Sequence, residues 1–367
     1  MRIAINGRSI LSRQRTGIGR YTYHLLDSLG KIDQVNSYIL HAPKRIFDFK
    51  RRLPDFSRYK NFKNYVDCFG QGTKEIDIYH YPSPDKLEPQ QGRLLVTIHD
   101  LIYKTYPQGH TPQAIEQTER YMQDIALKAD GFICVSENTR QDLHAHFDIP
   151  QERTRVIYHG VDPHQFYPLS IEDRPKSLLK LKDLGIHQPY ILFVGTIEPR
   201  KNLHGLLESF AAIKSKKIFR GQLVVAGMKG WMVENIDPLI KSLGIEKDVL
   251  FTSFVSDDQL RELYNLAEIF VFPSFYEGFG FPILEAFSSG AAVITSKTSS
   301  CGEIAGQAAL SIDPQDTAMM AEKMDHILHY PGLKESLIQA GLKRAREFSF
   351  QRMAQQTLTA YQEVTRA

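Results

Sequence analysis

The chain has little cysteine, with Cys68, Cys134 and Cys301 as its only three in 367 residues. They are scattered, lack metal-ligand spacing and cannot all pair, so a disulfide scaffold is excluded and a reducing compartment is expected. No apolar run approaches the ~20 residues that a membrane-spanning helix needs. The N-terminus, Met1 to Asn6, enters a strand pattern directly, without the apolar core and cleavage site of a secretory leader. A net charge of +3 is too small to make nucleic acid a partner of the whole molecule. No Asp-x-Asp pair stands at a strand end, and there is no short-period repeat or low-complexity tract. A cytoplasmic or peripheral protein is expected, on the inner face of the membrane if it is bound there.

Short apolar runs alternate with helical patterns, the signature of parallel α/β layers. In the first half the strand-like runs are 2–6, 94–99, 132–136 and 156–159. In the second they are 190–195, 222–227, 249–254, 269–273, 291–295 and 308–312. Continuous rather than alternating hydrophobicity fits strands covered on both faces. A Pro-rich stretch from Asp162 reads as a linker, which predicts domains at 1–170 and 171–349. The helical pattern over 350–367 follows a break at Phe348-Ser349-Phe350, so it is free to pack elsewhere. Between Lys44 and Lys63, basic residues alternate with Phe47, Phe49, Phe56, Tyr59 and Phe62. That mixture suits an anionic membrane surface. A solvated connection with a few core aromatics explains it about as well.

In doubly wound sheets ligands bind at the carboxyl ends of strands. Four such places carry chemistry. After the first strand, Gly17 and Gly19 open a helix where backbone N–H groups favour phosphate, although the dinucleotide fingerprint is incomplete because Thr22 replaces its third glycine. His99 ends a central strand of the first domain and can hydrogen-bond a sugar hydroxyl, or be a strand-end histidine satisfied by backbone. Gly195 ends the first strand of the second domain, and Arg200-Lys201 follow just before a helix starting near Asn202. A planar fork and a mobile point charge suit diphosphate oxygens. The densest place is Phe272 to Ala286, where Glu277 and Glu285 bracket Gly278-Phe279-Gly280. Glycine on both sides of an aromatic implies close approach of backbone to a ligand.

Together these residues resemble the retaining glycosyltransferases of the GT-B fold, family 4, in their mannosyltransferase-like branch. The Glu-x7-Glu spacing of Glu277 and Glu285 is the most specific element, and the Gly195–Asn202 run is the second. Ala226–Trp231 and Ser136–Thr139 add to it. The resemblance implies two Rossmann-like doubly wound domains facing a cleft, with the final helix returning to the first. It implies that Glu285 binds the donor ribose and Glu277 the transferred sugar. The amides of Gly278, Phe279 and Gly280 would line sugar and phosphate, and Arg200 and Lys201 would hold the diphosphate. His99 would reach the sugar, Gly17 and Gly19 would close over the phosphates, and the base would lie near Phe254, Val255 and Ser256.

Many members carry Gly-Arg where this chain has Gly195-Thr196, which shifts the diphosphate role to Arg200 and Lys201. The expected reaction moves a hexose from a nucleoside-diphosphate sugar to a saccharide or lipid-linked saccharide, without a metal or other cofactor. The branch points to GDP-mannose and bacterial surface polysaccharide. A hydrolase using Glu277 and Glu285, a nucleotide-sugar epimerase and a non-catalytic nucleotide-sugar binder remain as alternatives at this stage.

Overall fold

A computed structural model describes residues 1–11, 17–43, 54–67, 75–87, 91–230 and 234–366. These fall into two compact units, Met1–Gly160 with Ser349–Ala367, and Val161–Phe348. Among the described residues the first unit holds β1 (Arg2–Asn6), β2 (Ser37–Pro43), β3 (Phe62–Asp67), β4 (Ile78–Tyr81), β5 (Arg93–Ile98), β6 (Gly131–Cys134) and β7 (Thr154–Val156). They form one parallel sheet in the order β3-β2-β1-β4-β5-β6-β7. The second unit holds β8 (Tyr190–Val194), β9 (Gln222–Ala226), β10 (Val249–Ser253), β11 (Ile269–Phe272), β12 (Val293–Ser296) and β13 (Leu310–Ile312). Its order is β10-β9-β8-β11-β12-β13, again parallel throughout.

All six strand-like runs read in the second half became strands. The first half differs: β2, β3 and β4 lie outside the expected runs, and the run at 156–159 meets a strand only at Val156, since β7 spans Thr154–Val156. The cause is composition. In Ser37-Tyr38-Ile39-Leu40-His41 and in Ile78-Tyr79-His80-Tyr81 the buried positions include His41 and His80, which break a hydrophobic pattern. Those imidazoles are tolerated because each meets a partner, Tyr79 for His41, and Thr97 and Tyr361 for His80.

The helix Phe350–Arg366 buries Met353, Ala354, Thr357, Ala360 and Tyr361, a spacing of one to four residues that makes a single stripe. The stripe joins Ile3, Ile5, Leu25 and Leu40 in the core of the first unit. In the second unit Ile191, Phe193, Leu206, Phe210, Val225 and Ile294 anchor the core. No helix among the described residues is long and apolar enough to cross a membrane.

Of the basic-aromatic stretch, residues 44–53 lie outside the described residues, as do Arg13, Arg15, Thr16, Cys68 and Trp231. Where it is described, Phe56 and Phe62 are core residues and Arg58 pairs with Asp27. Those two rings serve the interior rather than a lipid surface.

Candidate functional site

The site of the second unit grows from the carboxyl ends of β8 and β11. Beyond β8 the chain passes Gly195, held at φ +149° with Lys201 beside it. It then makes a short 3-10 turn over Pro199–Lys201. Asn202, at φ +54°, caps the helix Leu203–Ser215: its Oδ1 accepts the Gly205 N–H at 3.2 Å, and its Nδ2 donates to the Pro314 carbonyl at 2.6 Å. Two bonds in opposite senses fix the turn and thereby the stems of Arg200 and Lys201. Beyond β11 a loop runs from Pro273 to Gly280, and Gly280 at φ +106° starts the helix Phe281–Ser288, with Pro282 in the first turn.

These two segments meet through charge. Lys201 Nζ donates to Glu277 Oε1 at 2.5 Å, and Arg200 lies 2.7 Å from Glu277 Oε2. Arg200 also pairs with Glu198 and donates to the Tyr276 carbonyl at 3.0 Å. Lys201 Nζ stands 4.9 Å from the centre of the Phe272 ring. Glu277 is 8 % exposed and Lys201 9 %, so either charge alone would carry a desolvation penalty of several kcal/mol. Burial pushes the Glu277 carboxyl up, but Lys201 and Arg200 outweigh it and hold the group below its usual range. A carboxylate kept ionised in this way is the reverse of a general acid. Glu198, Arg200, Lys201 and Glu277 together sum to no net charge.

Glu285, 4 % exposed in the helix Phe281–Ser288, accepts a hydrogen bond from the Tyr264 hydroxyl at 3.1 Å. The two glutamates thus differ in setting, one between cations and the other beside a phenol. Phe254 follows β10 directly and is 69 % exposed, and Val255 is half-buried beside it. Ser256 is spoken for: with Gln259 it forms a capping box on the helix Asp257–Leu266.

Sequence reasoning missed the run Thr295 to Ser300. Thr295, Ser296 and Thr298 donate to the carbonyls of Phe272, Ser274 and Phe275 at 2.8, 2.7 and 3.4 Å. Ser299 accepts the Glu277 N–H at 3.1 Å, and Ser300 donates to the carbonyls of Glu277 and Phe279. Five hydroxyls, two at the end of β12 and three just after it, therefore hold the loop that carries Glu277. Their dense spacing in Thr-Ser-Lys-Thr-Ser-Ser was the available signal, because buried loop carbonyls need donors.

In the first unit Gly17 and Gly19 form the first turn of the helix Gly17–Ile32 rather than a loop before it. His99 is half-buried; its Nε2 donates to the Pro82 carbonyl at 2.6 Å, which leaves Nδ1 of the neutral ring as an acceptor. Burial lowers its pKa, against the opposing pull of the Pro82 carbonyl and Asp100. His159 stacks on it at 5.3 Å and Tyr21 meets its edge at 5.0 Å. This ring cluster keeps His99 oriented and uncharged.

A family model described as Glycosyl transferases group 1 matches residues 177–344, and one described as Glycosyltransferase Family 4 matches residues 16–165. The chain belongs to glycosyltransferase family 4. The O-antigen chain mannosyltransferase B of Escherichia coli is 29 % identical over 94 % of this chain and 96 % of its own length. The serotype-specific mannosyltransferase WbdA, from the same organism, is 31 % identical over 63 % of this chain and 29 % of its own length. Among solved structures, the sucrose-phosphate synthase of Thermosynechococcus elongatus superposes with a TM-score of 0.77, at 20 % identity, over 98 % of both chains. That likeness shows the GT-B fold. The transferase is a hexosyltransferase by family, and its two parallel sheets are those of that fold.

Proposed function

We propose that the transferase moves mannose from GDP-mannose to a hydroxyl of a saccharide or lipid-linked saccharide, with the anomeric configuration retained, in the building of a bacterial surface polysaccharide. The observation that carries this reading is the seat of Arg200 and Lys201 on the two oxygens of Glu277. It brings two cations onto one carboxylate at the start of the Gly278–Gly280 loop, which supports a diphosphate and a sugar bound side by side. The match to an O-antigen chain mannosyltransferase over nearly its full length supports the choice of sugar and acceptor.

In the proposed step the bond between the anomeric carbon and the β-phosphate oxygen breaks, and the acceptor oxygen bonds to that carbon on the same face. The acceptor proton passes to the departing phosphate. Arg200 and Lys201 stabilise the charge that builds on it, which is the largest contribution such side chains make. No divalent ion enters this scheme, so chelation with EDTA leaves the rate unchanged. Glu285 takes the ribose hydroxyls, Phe254 and Val255 border the base, and the Gly278–Gly280 backbone and Gly195 line sugar and phosphate. From the first unit, His99 accepts a sugar hydroxyl at Nδ1, and Gly17 and Gly19 serve the phosphates. Residues 1–160 with the final helix are assigned to the acceptor, and residues 161–348 to the donor. Attachment to an anionic membrane, with Phe56 and Phe62 committed to the core, would rest on Lys44, Lys50, Arg51, Arg52 and their neighbours. Neutralising Lys50, Arg51 and Arg52 should then weaken binding to anionic vesicles.

A thermal-shift panel of nucleoside diphosphates and their sugars tests the donor. A ligand at about 100 times its Kd stabilises by ~2.7 kcal/mol. GDP and GDP-mannose should give the largest shifts, and a larger shift from a uridine series would reassign the base. The anomeric configuration of the product, read by NMR, decides retention.

A further inference from the structure

Ser300 is fully buried and donates to two carbonyl oxygens, those of Glu277 and Phe279, each at 2.8 Å. A trans peptide unit is planar, with its C=O and N–H on opposite edges. The carbonyl of Glu277 shares its unit with the N–H of Gly278, and the carbonyl of Phe279 shares its unit with the N–H of Gly280. Drawing both carbonyls onto one hydroxyl therefore turns both glycine N–H groups away from Ser300. Ser299 holds the peptide unit just before them, accepting the Glu277 N–H at 3.1 Å from a backbone held at φ +52°. Gly280, at φ +106°, then turns the chain into the helix Phe281–Ser288.

We infer that Ser300 is a positioning residue for the transfer: it aims the amides of Gly278 and Gly280 at the donor diphosphate. The inference rests on the donor reading above. Its physical motive is the charge balance of the neighbouring side chains. Glu198 and Glu277 offset part of the charge of Arg200 and Lys201, so the backbone N–H groups of the loop add to what those two cations offer a diphosphate. Without its hydroxyl proton the two peptide units lose their common anchor and can rotate.

Ser209 supplies a matched control in the same unit. It is 1 % exposed and also donates to two carbonyls, those of Gly205 at 2.8 Å and Thr317 at 2.9 Å, far along the chain from the donor loop. Ser300→Ala and Ser209→Ala should each lower the melting temperature, since each removes a buried hydroxyl that bonds backbone carbonyls. Only Ser300→Ala should weaken GDP, by roughly tenfold in titration calorimetry, and lower kcat with GDP-mannose by roughly 10- to 100-fold. Ser209→Ala should stay within about twofold on both counts. Equal effects of the two variants, or normal GDP affinity and kcat in Ser300→Ala, overturn the proposal.

If Ser300→Ala does not fold, hydrogen exchange on the unaltered protein decides. GDP should slow exchange at the amides of Gly278 and Gly280, and unchanged exchange there while GDP is bound overturns the proposal. A protein that binds neither GDP nor UDP defeats the donor reading itself, and this inference with it.

Discussion

The second sheet keeps its buried polar side chains at its carboxyl edge, whereas the first carries them within its strands. In the second unit Lys201, Ser274, Glu277 and Ser300 are buried beyond strand ends, Thr295 and Ser296 are the last two residues of β12, and the interiors of β8, β9 and β11 are aliphatic or aromatic. In the first unit His41, His80 and Thr97 are fully buried inside β2, β4 and β5. Tyr21 and His80 converge on Thr97 at 3.0 and 2.8 Å, and Tyr361 closes the group at 2.8 Å from His80. Polar groups at an edge can face a ligand. Those inside a sheet can only tie the sheet together, and each must find its partner there.

Breaking the edge of the second sheet should give the largest effect. Lys201→Ala removes a cation that stabilises the departing diphosphate and should lower kcat by roughly 100-fold or more. Glu277→Ala should do the same, and it also leaves two buried cations short of a counter-charge. Steady-state kinetics check both, and near-normal turnover in either variant removes the role assigned to it.

Acid should separate the two units. Burial lowers the pKa of His80 to about 3 from 6.5, and it lowers those of His99 and His159 as well. The unfolded chain then binds protons that the folded one refuses. Stability from these three is intact above pH 6.5 and declines below it, by up to ~1.4 kcal/mol per pH unit for each. Glu277 has the opposite kind of shift, a carboxyl held below 4.5, so its contribution is present above that pH and lost only further down. Between pH 6.5 and 4.5 the first unit should therefore weaken while the Glu277 cluster is unaffected. Calorimetry at pH 7.5 and 5, with hydrogen exchange to locate the loss, tests it; protection lost first in β8–β13 contradicts the comparison.

A smaller effect is expected from Tyr361→Phe, which takes the hydroxyl away from His80 Nδ1 and should destabilise the protein by ~1–3 kcal/mol. Denaturant unfolding measures it, and GDP affinity should be unchanged. Phe254→Ala should be the mildest: an exposed side chain changes stability by about 0.5 kcal/mol or less. Its donor KM should nonetheless rise by a few-fold, in keeping with an aromatic contact worth ~0.5–1.5 kcal/mol. An unchanged KM would move the base elsewhere.

The amino-acid sequence alone determined the parallel α/β class and all six strands of the second sheet, because strands covered on both faces write themselves as continuous apolar runs. It also singled out the candidate site segments: Glu277 and Glu285 with glycines between them, and Arg200 beside Lys201. Two of the three strands of the first sheet that escaped did so because His41, His80 and their tyrosine neighbours read as polar until their partners are known, and the third, β3, carries Lys63 and Asn64. Tertiary structure alone decided the partnerships. Lys201 and Glu277 lie 76 residues apart, and Ser300 and Phe279 lie 21 apart, yet each pair shares a hydrogen bond. Side-chain type states what a residue can bond to, and only the folded chain selects which of many candidates it meets. That selection turned two separate motifs into one charged cluster, and it made a run of unremarked hydroxyls the support of the loop that carries it.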